Sequence, residues 1–209
     1  MPLYLQCFAA TIWLSALSLV GAIVVGTVAC AMRLSQSKAV SRIAGIYIES
    51  IRSTPLLAQL YFFYFGLPSL GLMLPEWVTG VIALTLNSGA YYAEIIRAGI
   101  QAIPYGQIEA GIASGLSYFQ RMRFIILPQA LGLTIRPMLG QAIVLVKDSS
   151  LLSLISIVEL TRAGQLLTSD RFMPAEGFLT TAAFYLLIYY ILKAFSNWSE
   201  KRLIFREAH

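Results

Sequence analysis

Apolar runs without charge, separated by short polar and mostly basic stretches, set the pattern of this chain. No charged residue occurs before Arg33. About 20 consecutive apolar residues suffice to cross a bilayer, so Thr11–Met32 predicts a first transmembrane helix with a short amphipathic lead-in. A removable leader would open on basic residues and carry a shorter apolar core, and neither feature is present. Arg33, Lys38, Arg42 and Arg52 follow and flank a moderately apolar segment, Ile43–Ile51, that can extend the next helix. Ser53–Pro75 carries no charge and predicts a second span. Pro55 suits a helix start or kink there, because proline lacks an amide donor and disfavours helical geometry in the residue before it. Gly66, Pro68, Gly71 and Pro75 predict a compact loop. Trp77 to about Ala98 predicts a third span, interrupted by Asn87 and Glu94 and closed by Pro104 and Gly106. Gln129 to about Leu152 predicts a fourth, which contains Arg136-Pro137 and the cluster Lys147-Asp148-Ser149-Ser150. Ser153–Leu167 is apolar but too short for another crossing, and predicts a re-entrant or interfacial helix. A loop with Arg171, Pro174 and Glu176 leads to a fifth span from Gly177 to about Leu192, with Tyr185, Tyr189 and Tyr190 as belt residues. The expected fold is all-α: a single polytopic membrane domain, residues 1–209, with five transmembrane helices.

Composition agrees with a membrane chain. Of its residues 58% are hydrophobic and 12% charged, half the charge of a typical soluble domain at about 25%, and the mean hydropathy is +0.74. A net charge of +5 in a soluble protein would suggest nucleic acid, but here the basic residues lie in clusters between apolar runs. They read as topology signals, since short cytoplasmic loops are enriched in lysine and arginine. The first loop, the loop around residues 109–128 and the C-terminal stretch (Lys193, Lys201, Arg202, Arg206) are basic; the start of the chain and the second loop hold no Lys or Arg, and the last loop only Arg162 and Arg171. The N-terminus is therefore expected outside and the C-terminus in the cytoplasm. Cys7 and Cys30 lie in one apolar run and imply neither a disulfide framework nor a metal site. The single histidine is His209, which removes histidine-based metal and catalytic sites.

The most polar long segment between two spans is EAGIASGLSYFQRMRFIILP, from Glu109 to Pro128. Ile108, Ile112, Leu116 and Phe119 recur at helical spacing, with Ala110, Gly111, Ala113, Ser114 and Gly115 between them. Such a helix can lie outside the bilayer and press a small-residue face into a partner's groove. Its intervals run Glu109-Ala110-Gly111, then Gly115, then Ile125 and Leu127-Pro128. They resemble the EAA–G–I-x-LP signature of the permease subunits of bacterial ABC importers, with Gly111 in place of the third alanine. YIESIRSTPLLAQLYFFYFGLP, NSGAYYAEIIRAGIQAIPYGQIEA and KDSSLLSLISIVELTRAGQ are similar to the second span, the third span and the post-fourth-span segment of the polar amino-acid branch. The resemblance covers roughly residues 45 to 170.

The resemblance implies a transmembrane subunit working as a homodimer or with a sister permease. It implies docking on a cytoplasmic ATPase through a coupling helix at Glu109, Ala110, Gly111, Gly115 and Pro128, and delivery of an amino acid by an extracytoplasmic binding protein. Gly115 would allow a turn or close approach, and Pro128 would start the fourth span. The chain contains no G-x-x-x-x-G-K-[ST] phosphate loop, so ATP and Mg are expected on the partner ATPase, with no cofactor, metal or catalytic residue in this chain and no nucleic-acid partner. A self-contained channel or proton-coupled carrier is the alternative class.

Two polar groups lie within the spans. Asn87, Tyr91 and Glu94 share a helical face; they either line a translocation path or leave Glu94 paired with Arg97 at the interface. Lys147 and Asp148 lie about 28 Å beyond Pro128 if the chain is helical. They form either a structural or gating ion pair or, with the hydroxyls of Ser149 and Ser150, a site for a zwitterionic amino acid. Glu159 and Arg162, at i and i+3, predict a further pair.

Overall fold

A computed structural model describes residues 2–204, with side chains to Ser199. Arg206 and His209, and the side chains of Lys201 and Arg202, lie outside that range. The described residues form an all-helical structure: α1 (Pro2–Arg33), α2 (Lys38–Arg52), α3 (Leu56–Tyr61), α4 (Leu67–Ser69), α5 (Glu76–Gln101), α6 (Tyr105–Ala113), α7 (Tyr118–Arg121), α8 (Leu127–Asp148), α9 (Leu160–Arg171) and α10 (Pro174–Ile204). Three runs are long and apolar enough to cross a membrane: Pro2–Arg33, the continuous helical run Tyr118–Ile155, and Pro174–Ser199.

Several boundaries differ from the pattern-based expectation, each for a local reason. The lead-in before Thr11 is part of α1. Ile43–Ile51 belongs to a separate helix, α2, because Pro55 cannot continue it. The segment expected to form the second span, together with the stretch before it, is thus two helices meeting at Ser53–Pro55. The helical run of the expected fourth span starts at Tyr118, eleven residues early. There Ser117 forms a capping box with Gln120, accepting from the Gln120 N–H (3.4 Å) while its own N–H donates to Gln120 Oε1 (2.8 Å). Pro128 therefore does not open the span but sits inside a continuous run. It follows a π-helical turn, Met122–Ile126, as Pro68 follows another, Phe62–Gly66. A proline leaves the carbonyl one turn back without its helical donor, and a register shift at that point accommodates the loss. Ser153–Leu167 is divided by Ser156, at φ 67°, between a 3₁₀ extension of α8 and helix α9. The last loop is short, since Pro174 already begins α10.

Small residues bring the central helices together. The inward stripe of α1 runs Cys7, Thr11, Leu14, Ser18, Ala22, Gly26 and Ala29 at steps of three and four. Against it α5 lies parallel: Trp13 meets Trp77, Thr85 Oγ1 donates to the Ser18 carbonyl (3.3 Å), and Gly26 meets Tyr92 and Gly89. Close approach of this kind is how spanning helices associate where no hydrophobic drive separates helix from lipid. α8 packs antiparallel on α5, with Thr134 against Gly99 and Leu152 against Gly80. α2 and α3 run back along α5, through Ile48 against Ala93 and Leu60 against Leu84. α9 and α10 close the other side, where Tyr4 donates to the Gly177 carbonyl (2.8 Å).

Candidate docking surface and intramembrane polar clusters

The segment from Glu109 to Pro128 folds as two helices rather than one. α6 ends at Ala113, two residues before Gly115, whose φ of +75° admits the left-handed turn, and the N–H of Leu116 closes back on the Gly111 carbonyl at 3.0 Å. The turn redirects the chain into α7, where Arg121 Nη1 donates to the Leu116 carbonyl at 2.6 Å. Gly111 is the one residue of α6 that is buried. A methyl there would meet Ile125 Cδ1 at 2.8 Å and Arg121 Cδ at 3.1 Å, which accounts for glycine where the motif has alanine. The small-residue face is thus partly occupied by this chain's own π-helical turn. Ile108 also turns inward, onto Ile103, Ile126 and Ala130. Left exposed are Glu109, Ala110 and Ile112 on α6, with Tyr105 before them and Tyr118 and Phe119 beyond the turn.

The polar residues expected in the spans fall into two separate places. Asn87 is buried and donates to Gln59 Oε1 at 3.2 Å. Gln59 Nε2 in turn donates to the Ile51 carbonyl (2.8 Å) and lies 3.0 Å from the Thr54 carbonyl. This amide serves the backbone freed by the break between α2 and α3, a requirement in any apolar medium. Gln59 was not among the expected site residues; its signal was a lone amide four residues after Pro55 in a charge-free run. One and two turns along from Asn87, Arg52 lies over the Tyr91 ring (5.3 Å), and Glu94 accepts two hydrogen bonds from Arg97, at 2.8 and 2.7 Å. Arg52 Nη1 stands 3.7 Å from Glu94. The Glu94–Arg97 pairing is therefore present, and it borders a cleft of about 450 Å³ that Arg33, Arg52 and Tyr91 also line.

Lys147 and Asp148 form no ion pair among the described residues, because adjacent positions on a helix diverge by 100°. Lys147 instead lies over the Tyr189 ring (5.3 Å) and lines a cleft of about 490 Å³ with Ser150 and Tyr185. Ser149 is fully buried and donates its hydroxyl to the Val146 carbonyl at 2.8 Å, so it lies behind the cleft rather than among its lining residues.

Glu159 and Arg162 also do not pair through their side chains. The Glu159 carboxylate caps α9 by accepting from the Arg162 N–H (2.8 Å) and takes a second bond from the Tyr185 hydroxyl (2.8 Å). It is fully buried. Burial pushes its carboxyl above the usual 4.5, against the opposing pull of these donors. The folded chain then holds more protons than the unfolded one above pH 4.5, and stability falls as pH rises through that window. In detergent, Glu159→Ala should lower stability by about 2–3 kcal/mol by leaving two donors unpartnered. Glu159→Gln should cost under about 1 kcal/mol and flatten the pH slope of thermal unfolding. Equal losses in both variants would contradict the capping role.

Residues 9–205 match the family described as "Binding-protein-dependent transport system inner membrane component". The chain is 38% identical to "Probable glutamine ABC transporter permease protein GlnM" of Bacillus subtilis (strain 168), over 96% of this chain and 93% of that protein. It is 37% identical to "Glutamine transport system permease protein GlnP" of Escherichia coli (strain K12), over 97% and 93%. Its fold superposes with a TM-score of 0.92 on "Crystal structure of an amino acid ABC transporter with histidines", at 35% identity over 96% of this chain and 94% of that one.

Proposed function

Because the chain belongs to the family of binding-protein-dependent transport system inner membrane components, and so is a multi-pass permease subunit of an ABC uptake system and not itself an enzyme, we propose that it conducts a polar amino acid of the glutamine type. Such a system works with an ATPase and a binding protein. The proposed arrangement has five spans with the second broken at Ser53–Pro55, the N-terminus outside and the C-terminus in the cytoplasm. α6 is the coupling helix, presenting Glu109 and Ala110 to the ATPase, with Gly115 shaping the turn behind it. ATP and magnesium act on that partner. Family membership leaves no place for the alternative of a self-contained channel or proton-coupled carrier.

The observation that carries this reading is the exposed cluster of Ile112, Tyr118 and Phe119 around Glu109, at the turn before a spanning run. Apolar side chains outside the bilayer need a protein partner. Asn87, Tyr91 and Glu94, beside the cleft at Arg52, are the proposed inner part of the substrate path. Lys147, Asp148 and Ser150 are its outer part, with Ser149 in support. An exposed lysine within a span is costly in lipid, which favours a second permease subunit or water against that face. Co-purification with the ATPase encoded beside it tests the docking assignment. Ile112→Glu with Phe119→Glu should abolish co-purification while the chain still inserts in the membrane, and retention of the ATPase would overturn it.

A further inference from the structure

Two clefts of opposite character meet at the turn between α1 and α2. One, of about 460 Å³, is lined by Arg33, Lys38, Ser41, Arg42 and Glu49, three cations against one carboxylate. Arg33 is fixed in it: Nη1 donates to Ser41 Oγ at 2.8 Å, and that hydroxyl donates back to the Arg33 carbonyl at 2.9 Å. Lys38 and Arg42 have no hydrogen bond or ion pair among the described residues, so their charge is available to a ligand. The other cleft, of about 570 Å³, has walls of Ala31, Leu34, Ile96, Ile100, Met122 and Leu127. Ser35 and Gln36 line both. A basic cleft joined to an apolar one at the end of a spanning helix is complementary to an anionic amphiphile, and Ile43 and Ile46 of α2, each 60% exposed, continue the apolar surface beside the cations.

We propose that this turn is a binding site for an anionic, phosphate-bearing membrane lipid. The headgroup phosphate lies on Arg33, Lys38 and Arg42, and one acyl chain fills the cleft between α1, α5 and the start of the Tyr118–Ile155 run. Basic clusters flanking spanning helices attract such headgroups; the apolar cleft adds a reason to hold the whole lipid rather than a free anion. Because Tyr118 and Met122 line the tail cleft, a bound chain would contact the segment that follows α6. The site is independent of which solute the permease carries, so lipid binding and transport can fail separately.

Native mass spectrometry of the full chain in mild detergent tests this, with phosphatidylglycerol and phosphatidylcholine of identical acyl chains as probes. The wild type should retain phosphatidylglycerol preferentially. Arg33→Gln, Lys38→Gln and Arg42→Gln together should weaken it by about 100-fold, from roughly fivefold per cation. Ala31→Phe, which fills the tail cleft and leaves every charge in place, should weaken it as well. Equal retention of the two lipids, or unchanged retention in either variant, would overturn the proposal. Displacement of phosphatidylglycerol by inorganic phosphate would also overturn it, by reducing the basic cleft to a soluble-anion site.

Discussion

Glu109→Lys should abolish ATP-driven uptake while leaving the chain inserted and folded. Glu109 lies on the exposed side of α6, where reversing its charge disturbs no packing within this chain. A like charge placed against a complementary interface costs several kcal/mol, and about 3 kcal/mol is already a loss of roughly 100-fold in docking affinity. In proteoliposomes holding the permease, its ATPase and the binding protein, uptake should drop to the ATP-free level. The thermal midpoint of the isolated permease should stay within about 2 °C of wild type, since exposed substitutions stay within about 0.5 kcal/mol. Glu109→Gln separates charge from side-chain volume: full loss would assign the effect to the missing negative charge, and retained uptake would assign the Glu109→Lys defect to the introduced cation. Undiminished uptake in Glu109→Lys would remove Glu109 from the coupling surface.

The places where sequence pattern and structure part company share a physical cause. Apolar runs locate the spanning segments because hydropathy sums over many residues, and the runs at α1, the Tyr118–Ile155 helix and α10 were all legible. Helix starts and breaks depend on one or two residues. Ser117 and Gln120 are ordinary polar residues until they bond each other, whereas the turn expected at Gly115 is a break that a single residue type announced. The polar sites were legible as residues but not as partnerships. The Glu94–Arg97 pairing was visible at i and i+3 because a helix carries it locally. The bonds from Asn87 to Gln59 and from Glu159 to Tyr185 join segments 28 and 26 residues apart, and nothing local signals them. Gly111 shows the converse. Read alone it is a departure from a motif, and only the approach of Ile125 and Arg121 gives it a reason.

That logic extends to the helix contacts, where Gly26→Ala should be among the most damaging single methyl groups in the molecule. A Cβ at Gly26 would lie 2.6 Å from Tyr92 Cβ, 2.9 Å from the Gly89 carbonyl oxygen and 3.1 Å from the Ala93 nitrogen. Two of those three are backbone atoms of α5 and the third is a Cβ, so no rotamer change relieves the contact and α1 must move away from α5. Overpacking typically costs 1–3 kcal/mol and sometimes more; with a rigid neighbour the upper part of that range is expected, about 3 kcal/mol, less up to about 1 kcal/mol gained in helix propensity. Gly99→Ala is the informative contrast. Its added methyl would collide with Thr134 Cγ2, on a side chain whose hydroxyl donates to the Ala130 carbonyl at 2.9 Å. Thr134→Ser removes that methyl and keeps the hydroxyl, so the pair Gly99→Ala with Thr134→Ser should recover most of the loss. No substitution short of moving backbone can do the same for Gly26. Thermal unfolding in detergent should show a positive coupling in the Gly99 cycle. Additive losses there, or a Gly26→Ala variant as stable as wild type, would show that the α1–α5 and α5–α8 contacts are looser than their glycines require.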